Sequence, residues 1–485
     1  MPNVTGRIRL ADLDPPIALG PLDGRYRATG ANLVDDLSEA ALGRARIEIE
    51  IAWFIHLTRT HALPGVPHLS PQSVAYLQAI PDTFGSAEIA ELAEVERETV
   101  HDVKAVEYFI RRRLTSPAAP AQLRQPGLAE LVHFGATSED INNLAYAVTV
   151  RHAVESVWLP AARGLATALG DLAREHAGVA MVARTHGQPA TPTTLGKELA
   201  VMAYRLTRQL RRIAGTAYLG KISGATGTYG AHVAANPHAD WPEIARTFVE
   251  SLGLTWNPLT TQIESHDWQA ELYSDIARFN RIAHNVATDF WTYISLGYFA
   301  QVRGQGTVGS STMPHKVNPI RFENAEANLE IASALLDTIA ATLVTSRLQR
   351  DLTDSTTQRN IGVALGHSLL AIDNIRRGLA GLDVNAAAIA RDLDSAWEVL
   401  AEPIQSAMRA AAIAGVPDME NPYERLKELT RGRRTDAATL RRFVAGLGLP
   451  DDDAARLTAL TPATYTGLAE YLARQFTPDS EDCIS

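Results

Sequence analysis

The sequence predicts an all-α fold of three helical domains, and three observations carry that expectation. First, residues 142–177, 193–217, 269–299, 319–346 and 355–379 are apolar at helical spacing, with few glycine or proline breaks. Five runs of about 25–35 residues stand well above the 11 or 12 of an ordinary globular helix. They are patterned on more than one face, which implies a bundle with packing partners beyond one chain. Second, Leu114 to Leu128 carries Pro117, Pro120 and Pro126, which set an earlier group of helices apart from these runs. Third, the helical segments shorten past Leu379. The expected domains are an N-terminal one over 1–125, a central long-helix bundle over 126–379 and a C-terminal one over 380–485.

Composition bounds the class. At 485 residues the chain has ample length for a large core, and 46% hydrophobic with 21% charged residues places it among globular proteins. A net charge of −10 gives no general attraction for nucleic acid, so an anionic ligand must be met by local arginines. The sole cysteine, Cys483, cannot form an intrachain disulfide, which fits a reducing compartment. Residues 1–16 contain no leader-like apolar stretch, and no run approaches the roughly 18 apolar residues of a membrane span. A cytoplasmic protein with neither membrane nor nucleic-acid partner is expected.

In chain order, Pro21-Leu22-Asp23-Gly24-Arg25-Tyr26 reads as a turn. There Arg25 can fork onto a phosphate and Tyr26 can donate a hydroxyl. Helical patterns follow to about Leu63 and from Ser73 to Ile80. Glu91 to Arg113 reads as one helix, with Val103, Val106 and Ile110 facing a core and His101, Asp102 and Lys104 more polar than burial requires. Thr137-Ser138-Glu139-Asp140 has capping-box spacing, and the free N–H groups of such a helix start can also hold a carboxylate. Two prolines and a glycine make Arg184 to Pro192, with His186, a non-helical segment. Gly224 to Gly230 is glycine-rich, but neither a preceding strand nor a Gly-Lys-Ser/Thr ending supports a nucleotide loop. Thr260 to Glu264, with Gln262, is another loop.

Gly309-Ser310-Ser311-Thr312-Met313-Pro314-His315-Lys316-Val317-Asn318-Pro319-Ile320 looks wrong for a core and right for a site. Hydroxyls, an imidazole, an ammonium and an amide run into a helix start, with Asn318 as N-cap and Pro319 at the first helical position. That end suits an anionic intermediate. Ser346 to Arg359 offers three arginines with serine and threonine at a helix start, a plausible phosphate cradle. Arg431-Gly432-Arg433-Arg434 reads as a solvated face or subunit contact, and the tail after Arg474 as disordered.

The 309–320 string, continued by Phe322-Glu323-Asn324, resembles the signature loop of the fumarase/aspartase superfamily, in its adenylosuccinate lyase branch. Asp-Gly-Arg-Tyr at 23–26, His-Asp at 101–102 and Thr-His-Gly-Gln-Pro-Ala at 185–190 extend the resemblance over roughly Pro21 to Tyr471. One departure is Val100, where the family pattern has asparagine. The resemblance implies a five-helix central domain, four copies of which form a twenty-helix core in a homotetramer with shared active sites.

It also implies the site. His186 and Ser310 are the catalytic pair, acid and base. Arg25, Tyr26, Arg350, Ser355 and Arg359 meet the substrate phosphate, Thr137 and Ser138 the succinyl part, and His101, Asp102 and Gln262 further parts of the substrate. Lys316, Val317, Asn318, Asn324, Thr356, Thr357 and Gln358 complete the substrate set, with Glu323 orienting His186. The implied reaction releases fumarate from adenylosuccinate and from the succinyl-carboxamide ribotide of purine synthesis. The sequence offers no cysteine cluster and no His-Glu-x-x-His, so no metal or other cofactor is expected, and fixed donors must stabilise the carbanion. Argininosuccinate lyase or aspartase chemistry is the nearest alternative, and a catalytically inactive helical scaffold another. Substrates without phosphate would leave the four arginine and serine contacts without a role.

Overall fold

The computed structural model describes Ile8 and residues 19–302, 317–430 and 436–477. Ser310, Lys316, Arg431 to Arg434 and Cys483 lie outside the described residues. The chain is 66% helical, about twice the usual share, and among the described residues strands pair only as short two-stranded ribbons. No described helix is long and apolar enough to cross a membrane.

The first helices are α1 (Arg27–Leu37), α2 (Glu39–Arg59), α3 (Pro71–Asp82), α4 (Ser86–Thr99) and α5 (Asp102–Thr115). A turn-rich stretch leads to α6 (Ser138–His152), which continues through a π-helical turn (Ala153–Trp158) into α7 (Leu159–Glu175). Pro160 has no N–H to give to the preceding turn, and the widened π turn lies directly before it. An antiparallel hairpin of β1 (Ala180–Thr185) and β2 (Gln188–Thr194) precedes α8 (Leu195–Ala214). Next come α9 (Gly230–Ala235), α10 (Trp241–Ser251), α11 (Asp267–Ser295), α12 (Ile320–Leu343), α13 (Thr353–Gln358) and α14 (Ile361–Leu379). Six helices of 7 to 13 residues follow: α15 (Ala386–Asp394), α16 (Ala401–Ile413), α17 (Pro422–Thr430), α18 (Ala437–Ala445), α19 (Asp451–Ala459) and α20 (Ala469–Gln475).

The chain divides into two compact units. The first comprises residues 1–162, 209–281 and 327–373. Its largely aliphatic core contains aromatic pairs: Trp53 meets Phe248 with centroids 4.9 Å apart, and Trp158 meets Phe279 edge-on at 4.9 Å. The buried Trp158 indole donates to Ser368 Oγ at 2.9 Å, which donates to Asn280 Oδ1 at 2.7 Å. The second unit comprises 163–208, 282–326 and 374–485. Phe290 and Phe322 stack there at 5.6 Å, and Gly378 leaves room for the ring, since a Cβ would sit 2.8 Å from Phe322 Cζ. A separate cluster of Leu393, Met408, Leu440, Val444 and Leu457 packs with Val182.

Four expectations are corrected. Glu91 to Arg113 is two helices, because Val100 takes a left-handed conformation (φ 52°) that ends α4, and the His101 ring caps α5 by accepting the Lys104 N–H at 3.2 Å. The helix expected from Ser355 breaks after α13, at Arg359 and Asn360, and restarts at Ile361. Helix α12 starts one residue late: the Pro319 carbonyl accepts from the Phe322 and Glu323 N–H groups, so Pro319 takes the cap position and Asn318 stands outside it. Of the tail past Arg474 that was expected to be disordered, residues 475–477 are placed, with Phe476 buried edge-on against Tyr204, and 478–485 lie outside the described residues.

Candidate active site

Within the first unit one polar chain gathers much of the expected substrate set. Arg46, buried on α2, donates through Nη2 to Asp102 Oδ2 at 2.8 Å and through Nε to Asn142 Oδ1 at 2.8 Å. Asn142 donates to Glu139 Oε1 at 2.8 Å, and the same oxygen meets Arg350 Nη2 at 2.8 Å. Arg350 also reaches Ser355 Oγ at 3.3 Å. Arg359 contacts Asp102 Oδ2 and Glu39 Oε2, each at 3.3 Å, and donates to the Ser355 carbonyl at 3.1 Å. Asp102, Arg350, Ser355 and Arg359 are thus brought together, and their cations rest on carboxylates. Burial by itself would push the Asp102 carboxyl up. The Arg46 charge, the Val103 N–H and Arg359 outweigh it and hold the group below the usual carboxylate range.

The α6 start is built as expected and does more. Asp140 accepts the Thr137 N–H at 2.9 Å, which is half of a capping box. Its carboxylate also takes the Lys221 ammonium at 2.7 Å and the backbone N–H groups of Ser223 and Gly224 at 2.9 and 3.0 Å. Lys221 and Asp140 are both fully buried, so each charge depends on the other. Asp140 therefore pins the glycine-rich loop to the helix start beside Thr137 and Ser138. Gln262 joins the same loop by donating to the Ala225 carbonyl at 3.0 Å.

Below that helix start, Glu50 of α2 accepts the His133 backbone N–H at 3.0 Å and contacts the ring Nδ1 at 2.5 Å. His133 is left-handed (φ 59°), and its Nε2 lies 3.9 Å from Glu107. Burial alone would lower the His133 pKa, but the Glu50 bond and the charges of Glu50, Glu107 and Asp140 raise it overall. His101 is half exposed at the start of α5. Arg25 lies over the Tyr26 ring at 5.8 Å, in the expected turn before α1. On α13, Thr356 and Thr357 sit beside Ser355, whereas Gln358 is buried with its amide on Gln269.

In the second unit, His186 and Gly187 form the two-residue tip of the β1–β2 hairpin. Both have positive φ (53° and 74°), as a primed turn requires, and the imidazole is exposed. Val317 accepts from Gln301 through its carbonyl at 2.8 Å, and Asn324 accepts the Asn374 amide at 3.0 Å. Glu323 accepts the Trp291 indole N–H at 3.2 Å, and no hydrogen bond or ion pair joins it to His186 among the described residues.

Sequence reading missed Arg46, Asn142, Glu139, Glu50 and Asp140 as organisers of the site. Arg46 and Glu50 sit on a helix whose other residues are largely apolar, which was a signal for buried pairing.

The model of the family described as Lyase matches residues 24–331, and that of the adenylosuccinate lyase C-terminal region matches 346–466. Adenylosuccinate lyase of Escherichia coli (strain K12) is 46% identical over 94% of this chain and 98% of its own. The chain belongs to the adenylosuccinate lyase family. The Vibrio cholerae family member is also 46% identical over the same shares, and that of Legionella pneumophila (strain Corby) is 45% identical over 95% and 98%. Among solved structures, fumarate lyase from Mesorhizobium sp. BNC1 superimposes with a TM-score of 0.70 at 20% identity, covering 91% of this chain and 96% of that one. The 3-carboxy-cis,cis-muconate lactonizing enzyme from Pseudomonas putida gives 0.69 at 22% identity, covering 91% and 95%. At these identities the two structures establish the helical fold shared with this family member.

Proposed function

We propose that the chain catalyses β-elimination of fumarate from adenylosuccinate, giving AMP, and from succinylaminoimidazole carboxamide ribotide, giving AICAR. Ser310 removes the proton from the carbon beside a carboxylate. The electron pair left behind forms the fumarate double bond as the C–N bond breaks, and His186 gives its proton to the departing nitrogen. Lys316, Asn318 and loop N–H groups stabilise the carboxylate as charge builds on it. Thr137 and Ser138 take the succinyl part at the start of α6, and Arg25, Tyr26, Arg350, Ser355 and Arg359 take the phosphate. The observation that supports this most is the convergence of Arg350, Arg359 and Ser355 on one polar chain with Asp102. Argininosuccinate and aspartate carry no phosphate for such a cluster.

Acid and base belong to different subunits of a cytoplasmic homotetramer, so no single chain holds a complete site. Ser310→Ala and His186→Ala should each bind adenylosuccinate and release no fumarate. Mixed and allowed to exchange subunits, the two should regain about a quarter of the sites, the statistical share for a symmetric oligomer with free exchange. Hybrid tetramers without activity would refute the shared site, and an active Ser310→Ala enzyme would remove serine as the base.

A further inference from the structure

Four buried polar atoms without hydrogen-bond partners among the described residues belong to three neighbouring side chains at the arginine cluster. They are His266 Nδ1 and Nε2, Asp354 Oδ2 and Arg350 Nε. Leaving one such atom unmet is costly, and a cluster of them is unusual in a region built for stability alone. His266 is 1% exposed, immediately before α11, and Asp354 is 7% exposed, in the first turn of α13. The His266 backbone is held in place: its main-chain N–H donates to the buried Glu264 at 2.9 Å, and it is left-handed at φ 61°. The His266 Nε2 lies 3.5 Å from Asp354 Oδ2, just beyond hydrogen-bond length. The other Asp354 oxygen accepts the Ser355 N–H at 2.6 Å and stands 3.9 Å from Arg350 Nη2.

Asp354 thus has two cationic or donor neighbours to choose between. If it turns to Arg350, that guanidinium is matched by two carboxylates, Glu139 and Asp354, and has little left for an incoming anion. We propose that His266 is a positioning residue that draws Asp354 away from Arg350 and so keeps Arg350 available to the substrate phosphate. The step rests on the functional reading in which Arg350 and Ser355 receive that phosphate. His266 touches no substrate; it acts through one carboxylate, and Asp354 keeps Ser355 oriented meanwhile.

His266→Asn tests this well, because asparagine tolerates the left-handed backbone but its amide is too short to reach Asp354. The variant should melt no lower than wild type. KM for adenylosuccinate should rise roughly tenfold with kcat retained, as for one lost hydrogen bond to a charged group. His266→Gln, which carries a donor near the Nε2 position, should recover most of that loss. In the double variant His266→Asn/Asp354→Asn the competing carboxylate is gone while the Ser355 acceptor remains, so KM should return to near the wild-type value. Binding of inorganic phosphate, followed by calorimetry without substrate, should change in step. Unchanged KM and phosphate affinity in His266→Asn, or a double variant as weak as the single one, would overturn the proposal. A wild-type chain that binds phosphate but releases no fumarate would instead overturn the functional reading, leaving the phosphate series to decide the role of His266.

Discussion

Arg46 Nη2 and Asp102 Oδ2 lie 2.8 Å apart, joining α2 to the first residue of α5 through an arginine that is 4% exposed. Replacing Arg46 by leucine strands Asp102 on that side and leaves the Asn142 carbonyl oxygen without its donor. Breaking a fully buried pair from one side costs about 3–5 kcal/mol, and the cost here is at the low end because Asp102 is 29% exposed and keeps Arg359. Arg46→Leu should lower unfolding free energy by that order in a denaturant titration, whereas a loss under about 1 kcal/mol would show the pair to be dispensable.

Arg350→Ala and Arg359→Ala address binding rather than folding. Each removes a charged contact worth on the order of 1.5–3 kcal/mol, about ten- to a hundredfold in KM for adenylosuccinate. Steady-state kinetics with fumarate absorbance as readout checks this. Unchanged KM in both variants would remove the phosphate cradle.

The Glu50–His133 pair sets a pH dependence. Because the folded His133 pKa is raised, its contribution to stability is fully present below the ordinary histidine value of about 6.5 and is lost as pH rises through the higher folded value. Wild type should lose stability over that alkaline step, and His133→Gln should show a flatter profile there. Identical pH profiles of melting temperature for the two proteins would show that the pair carries no charge.

Val100 is β-branched, left-handed and 89% exposed, a conformation that asparagine or glycine adopts more readily. Val100→Asn should therefore stabilise the enzyme by about 1 kcal/mol through relief of backbone strain. A denaturant midpoint equal to or below that of wild type would contradict this.

The fold was legible where periodicity is long. The runs that became α11, α12 and the α6–α7 segment show their helical pattern over many turns, and their predicted ends fall within a few residues of those observed. It was less legible at Val100, where one residue with unfavourable propensity ends a helix, because the packing of α4 and α5 overrides what valine prefers locally. Of the candidate site, motifs with hydroxyls, arginines and His186 stand out in the sequence, since such groups are conspicuous in loops. Arg46, Glu139 and Asn142 do not, because their partners lie far away in the chain: Arg46 and Asn142 are 96 residues apart.

Asp140 collects donors from its own helix start and from a segment about eighty residues later. A partial or shifted docking of those segments strands a carboxylate and an ammonium in a dry interior. Near-native packings are then separated from the native one by a wide energy gap, so the same three bonds that hold the loop also act as proofreading during folding.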